Sequence, residues 1–189
     1  AVGSTHFLRK GNNSTTNGAQ TTVSTFYSGN GGNGTTELHY PRGIAILSNG
    51  NLWVSDSGNN RIKKVLTSSF AYVQHIEEDT EAVSDPKDVA VDRDGNMYVG
   101  LGNKSTIRKY NRSGILQWEI AGKGTSVVGE FKSLHGIAVS PDGRYVVGTD
   151  TDATEKNVEC YDTTTGTWSQ ITNGANSPIT EGGITTDSQ

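Results

Sequence analysis

Tyr40-Pro41-Arg42-Gly43-Ile44-Ala45-Ile46, then a turn at Asn49-Gly50, then Asn51-Leu52-Trp53-Val54-Ser55-Asp56 and Asn60-Arg61-Ile62-Lys63-Lys64-Val65 is the stretch that decides the fold. It returns as Asp85-Pro86-Lys87-Asp88-Val89-Ala90-Val91, a turn at Asp94-Gly95, Asn96-Met97-Tyr98-Val99, and Thr106-Ile107-Arg108-Lys109-Tyr110. A third copy runs Ser133-Leu134-His135-Gly136-Ile137-Ala138-Val139, turns at Asp142-Gly143, and continues Arg144-Tyr145-Val146-Val147 to Asn157-Val158-Glu159-Cys160-Tyr161. The turn glycines stand at 50, 95 and 143, a period of roughly 45 residues, in the range of β-propeller blades.

Each copy divides into four short strands. Short apolar runs around Ala45, Ala90 and Ala138 suit an innermost strand covered on both faces. Ile44, Ile46, Val89, Val91, Ile137 and Val139 are therefore expected among the most buried positions, with the three alanines. Asn-Gly and Asp-Gly suit a tight hairpin with two positive-φ residues. Third strands alternate apolar and basic residues, which places Lys63, Lys64, Arg108 and Lys109 at an outer wall. No stretch holds a helical period, and Gly, Ser, Thr and Asn crowd the gaps. The reading is an all-β chain, a β-propeller of four-stranded antiparallel blades.

Three blades are complete, at 40–76, 85–120 and 133–171, with partial blades at 1–29 and 181–189. The whole chain, 1–189, reads as a single propeller domain or a segment of one. Residues 4–10 and 21–29 suit third and fourth strands, and 181–187 suits an opening strand. Two arrangements remain open: a segment of a longer propeller, or a small ring closed by its own ends. The segment is favoured, because an unclosed stack exposes a blade face and sheet edges.

The pattern P-x-G-I-A-V, D-G-N-x-Y-V, D-x-x-N-x-R-I resembles NHL repeats: residues 40–65 match it almost position for position, with Asn49-Gly50-Asn51 at the turn, and 85–110 is a good second match that has Gly100-Leu101 in place of the aspartate. Ser140-Pro141-Asp142-Gly143-Arg144 and Asp162-Thr163-Thr164-Thr165-Gly166 lean toward the related surface-antigen (YVTN-type) propellers. The resemblance implies the fold and leaves function open, since such propellers include enzymes, RNA binders and scaffolds.

In a propeller, loops leading into first strands share a face with loops joining second to third strands. Arg42, Lys87 and His135 occupy the position just before equivalent strands and are expected at the channel mouth. Asn59 and Asn60, in the adjoining loop, complete the candidate partner-binding set, while Asp56 and Arg61 are read as tying down their own hairpin. Five N-x-S/T sequons, at Asn12, Asn13, Asn33, Asn103 and Asn111, fall in expected loops and are candidate glycosylation sites.

No catalytic residue and no metal or cofactor site is assigned from the sequence. Some NHL-like propellers are lyases that hold zinc through histidines in the column of Arg42, Lys87 and His135; only His135 matches that resemblance, whereas catalytic zinc needs about three protein ligands. The single cysteine, Cys160, reads as a small strand residue. A net charge of −4 opposes attraction to phosphate backbones and argues against nucleic acid. No run has the length of a membrane helix. The sequence therefore favours a non-enzymatic interaction module, secreted or on a cell surface, with a protein or glycan partner; a metal-dependent lyase and an RNA-binding NHL domain are the alternatives.

Overall fold

The computed structural model describes residues 6–11, 23–29, 32–69, 71–76, 85–120, 122–123, 128–151 and 157–172. The expected opening strand at 181–187 lies outside them. The first two strands, β1 (His6–Gly11) and β2 (Val23–Gly29), pair antiparallel. Three four-stranded meanders follow. The first blade is β3 (Pro41–Ile46), β4 (Asn51–Asp56), β5 (Arg61–Leu66) and β6 (Tyr72–Ile76). The second is β7 (Pro86–Val91), β8 (Met97–Leu101), β9 (Thr106–Tyr110) and β10 (Leu116–Ile120). A two-residue parallel ladder, β11 (Gly122–Lys123) with β12 (Glu130–Phe131), joins it to the third blade. That blade is β13 (Leu134–Val139), β14 (Tyr145–Asp150), β15 (Val158–Asp162) and β16 (Thr167–Thr172).

Alternation along each strand sorts side chains between neighbouring blades. Ala45 pairs with Trp53, and both face the second blade, where they meet Val89, Met97, Val99 and Tyr110. Ala90 and Tyr98 point the other way, toward Ile137, Val139, Val146 and Phe131. Trp53, Tyr98, Met97 and Phe131 are fully buried, and each such side chain stabilises the stack by about 1.5–3 kcal/mol.

Five of the nine positions expected to be most buried are so: Ala45, Val89, Ile137, Ala138 and Val139. Ala90 and Val91 are half-buried. Ile44 and Ile46 are 50% and 68% exposed. Their registers with Val54 and Leu52 put them on the face of the first blade that turns away from the second. An apolar strand is covered twice only when a blade lies on each side of it, and the sequence pattern does not report which blade stands first.

The turns also differ from the two-residue hairpin expected. Gly50 donates to the Leu47 carbonyl and Leu47 to the Asn51 carbonyl, at 3.1 and 2.8 Å. Only the glycine, at φ +78°, is left-handed. This is a three-residue loop with a glycine bulge. The loop around Gly95 repeats it, and Gly143, at φ +71°, ends the corresponding turn of the third blade.

The basic third strands are not an outer wall. Lys63 is fully buried and Arg108 is 8% exposed. Lys64 lies 5.0 Å above the Trp53 ring, and Lys109 sits over Tyr98 and Trp118 at 5.1 and 6.0 Å. Their long stems cover aromatic rings, and Lys109 reaches Asp92 at 4.0 Å.

Candidate functional site

The leading loops and the second-to-third-strand loops share one end of the stack, the upper face. The local sequence fixes them with buried charge. Asp56, fully buried, accepts the His39 backbone N–H at 2.5 Å and pairs with the Arg61 guanidinium at 2.7 Å. Arg61 also donates to the Gly34 and Glu37 carbonyls at 2.9 and 3.1 Å, and Lys63 donates to the Gly34, Thr35 and Glu37 carbonyls. Burial and the neighbouring Arg61 charge push the Lys63 ammonium down to about 8. Asp56 and Arg61 thus hold the loop before the blade as well as their own hairpin.

The third blade keeps the aspartate and reverses the charge at the position of Lys63. Asp150 accepts the Lys132 and Ser133 backbone N–H groups at 2.6 and 3.1 Å. Glu159, at the register position of Lys63, accepts the Gly129 N–H at 2.5 Å. Its carboxyl is raised above the usual range by burial and by the nearby Asp150 and Glu130 charges. In the second blade Leu101 replaces the aspartate and is fully buried.

Neighbouring blades are tied across this face. Asn60 Oδ1 accepts the Asp85 N–H at 2.9 Å, Ser57 Oγ donates to the Pro86 carbonyl, and Ser105 Oγ donates to the Lys132 carbonyl at 3.3 Å. Four non-glycine residues here, Tyr40, Asn60, Asp85 and Ser105, have φ between +49° and +54°. Such conformations cost of order 1–3 kcal/mol each and concentrate at functional sites.

Strands β3, β7 and β13 run side by side and wall an inner groove of about 460 Å³ formed by residues 44–46, 88–91 and 137–139. Arg42, Lys87 and His135 precede these segments on adjacent strands. Arg42 is exposed, His135 is half-buried, and Lys87 Nζ bridges Asp85 at 2.7 Å. Asn60 is exposed, whereas Asn59 is half-buried and spends its amide on Asp56 and the Gly32 carbonyl. Asn33 and Asn103 are exposed, and Asn111 is half-buried. Asn12 and Asn13 lie outside the described residues.

Sequence reasoning missed Asp88. Its Oδ2 accepts the Ile137 N–H at 3.0 Å and its Oδ1 the Val89 N–H at 2.9 Å, so the carboxylate stands between two inner strands. Burial raises it above the usual carboxylate range, against the pull of those two bonds and the His135 charge. The signal was present: Asp88 stands where the other copies have Gly43 and Gly136. Among the described residues, no three His, Cys, Asp or Glu side chains converge to hold a metal ion. No helix among them is long and apolar enough to cross a membrane.

The SMP-30/gluconolactonase/LRE-like region (SGL) family matches residues 19–189. The chain belongs to that family. The repeats that resemble NHL units are thus those of an SGL-family chain. It is 27% identical over 132 residues to a probable peptidyl-alpha-hydroxyglycine alpha-amidating lyase of Caenorhabditis elegans, covering 66% of this chain and 37% of that protein. Among solved structures it resembles one from a nidogen–laminin complex, with a TM-score of 0.61 at 11% identity, covering 80% of this chain and 52% of that one. It also resembles virginiamycin B lyase from Staphylococcus aureus, with a TM-score of 0.58 at 16% identity, covering 85% of this chain and 47% of that one. These likenesses support the propeller architecture. The chain spans about half the length of these solved relatives and 37% of the curated lyase.

Proposed function

We propose that this SGL-family propeller is a non-enzymatic recognition module acting outside the cytoplasm, which captures an anionic group of a protein or glycan partner at its upper face. What supports the reading is that Arg42, Lys87 and His135 hold matching positions on the adjacent strands β3, β7 and β13, just before the segments that wall the groove. Loops locked by buried charge and held in left-handed conformations lose little ordering entropy on binding. The resemblance to the nidogen propeller, solved with laminin, is in keeping with this reading. Candidate sugars at Asn33 and Asn103 would lie on the same face.

The test is a pair of arrays, one of acidic peptides and one of acidic glycans, probed with the intact protein and with Arg42→Ala/Lys87→Ala. Loss of the strongest signals in the double variant, with an unchanged melting curve, is the expected result. Equal capture by both proteins would remove the upper face from consideration.

A second reading is a lyase, favoured by the curated relative and by the Asp88 carboxyl in the groove, which feels the charge of His135. Perturbed carboxyls in clefts are candidate acids or bases. In that case a peptidyl-α-hydroxyglycine supplied to the intact protein would be cleaved at its N–Cα bond to the peptide amide and glyoxylate, the hydroxyl proton passing to the amide nitrogen, and Asp88→Asn and His135→Ala would each abolish turnover.

A further inference from the structure

At the opposite end of the stack, a cleft of about 980 Å³ opens between the first and second blades. It lies where the loop at Gly50 faces the loops at Gly95 and Gly114, so three turns and one strand build it. Lys64, Arg93 and Arg112 line it, against the single carboxylate of Asp94. This local excess of positive charge sits on a chain whose net charge is −4. None of the three cations forms an ion pair among the described residues.

Lys64 is the most telling of them. It is half-buried and rests on the Trp53 ring, and burial lowers its ammonium below the usual lysine range. A partly desolvated cation without a carboxylate partner gains most from an incoming anion. The amides add to this. Asn49 Oδ1 is used by the Asn51 N–H, and Asn111 Oδ1 by the Ser113 and Ile115 N–H groups. Their Nδ2 groups make no hydrogen bond among the described residues. The cleft is therefore rich in donors and poor in acceptors. Its volume is that of a small-molecule site, far more than a bare oxyanion needs.

We infer that this lower cleft is a binding site for an anionic saccharide, a sugar ring carrying a sulfate or phosphate ester. Lys64, Arg93 and Arg112 take the ester oxygens, the Asn49 and Asn111 amides donate to ring oxygens, and Asp94 accepts from hydroxyls. The site is independent of the upper face, so loss of binding at one leaves the other intact.

The experiment is calorimetric titration of the intact protein, produced without glycosylation so that Asn111 stays free. The probes are a sulfated disaccharide, its unsulfated parent, a hexose phosphate and inorganic sulfate. The expected result is binding of the sulfated or phosphorylated sugar, with the preferred ester naming the source, and about tenfold weaker binding of the parent sugar. Lys64→Gln and Arg112→Ala should each weaken the ester by about tenfold, and Asp94→Asn should tighten it. Arg144→Ala, at an outer turn, should change nothing. Inorganic sulfate binding as tightly as the sugar ester would overturn the saccharide assignment. Ester binding unaffected by Lys64→Gln and Arg112→Ala in normally folded protein would overturn the site.

Discussion

Asp88 of the second blade accepts the backbone N–H of Ile137 in the third, with Oδ2 at 3.0 Å. The bond crosses between inner strands, where hydrogen bonds within each sheet do not reach. On its other side Asp88 fills the space left by Gly43: a Cβ there would stand 2.3 Å from Asp88 Oδ1 and 2.6 Å from its Cα. One carboxylate therefore links three consecutive blades.

Asp88→Ala strands the Ile137 N–H and is expected to cost about 1–3 kcal/mol. Asp88→Asn keeps one acceptor for two donors and should fall between that variant and the wild type. Gly43→Ala pushes a methyl into the backbone of β7 and should cost a similar 1–3 kcal/mol through overpacking. Chemical denaturation reads all three. A wild-type midpoint for Asp88→Ala would mean the inter-blade bond contributes nothing in solution.

The turn glycines separate backbone strain from crowding. Gly95 is at φ +80°, yet an added Cβ would meet only the Leu47 and Arg112 side chains, at 3.5 and 3.7 Å. Gly143 is at φ +71°, and its Cβ would stand 2.9 Å from both Asp92 Oδ2 and the Tyr98 hydroxyl. Gly95→Ala should cost about 1 kcal/mol from φ alone, and Gly95→Val more. Gly143→Ala should cost measurably more than Gly95→Ala. Equal melting shifts for the two alanine variants would show that the Asp92–Tyr98 contact yields freely.

Acid should weaken the third blade at the Arg144–Asp162 pair. Arg144 holds the Asp162 carboxyl down at about 2 through a hydrogen-bonded pair, Nη2 to Oδ2 at 2.9 Å. A carboxyl depressed in the folded state stabilises it above the ordinary carboxylate value, near 4, and that stability disappears as pH falls toward 2. The melting temperatures of wild type and Arg144→Ala should converge across that window. A constant gap from pH 5 to pH 2 would argue against the pair.

The three four-stranded antiparallel sheets and the positive-φ turn glycines were legible because they rest on local periodicity, which the repeat displays three times. Burial at Ile44 and Ile46 was not, since it depends on which blade covers that face. The positions of Lys63 and Arg108 were hidden for a related reason. A basic residue on a third strand looks solvated until the carbonyls of residues 34–37, or Glu119, are brought against it. Asp88 was readable in principle, as an aspartate where its repeats have glycine. Its partner Ile137 is 49 residues away, and no local pattern carries that distance. The Arg42, Lys87 and His135 column came from repeat alignment alone, and the structure sets its members at matching positions on the neighbouring strands β3, β7 and β13.

The buried charges of the first blade give the most local prediction. Lys63 Nζ donates to carbonyls of Gly34, Thr35 and Glu37, while Arg61 reaches Gly34 and Glu37 and pairs with Asp56. Lys63→Met keeps the stem in the blade and removes its three donors. The Gly34 and Glu37 carbonyls retain Arg61, but the Lys63 bond to Thr35 is lost without replacement. Loosening should therefore concentrate in residues 32–39, seen as faster amide exchange there, with the second and third blades unchanged. Asp56→Ala is more severe. It leaves Arg61 buried without its carboxylate, for which about 3–5 kcal/mol is the usual cost, and it also frees the His39 N–H. That variant should lower global stability as well as protection of the loop. If Lys63→Met instead reduced protection evenly across all three blades, the ammonium would be supporting the whole stack and not the leading loop.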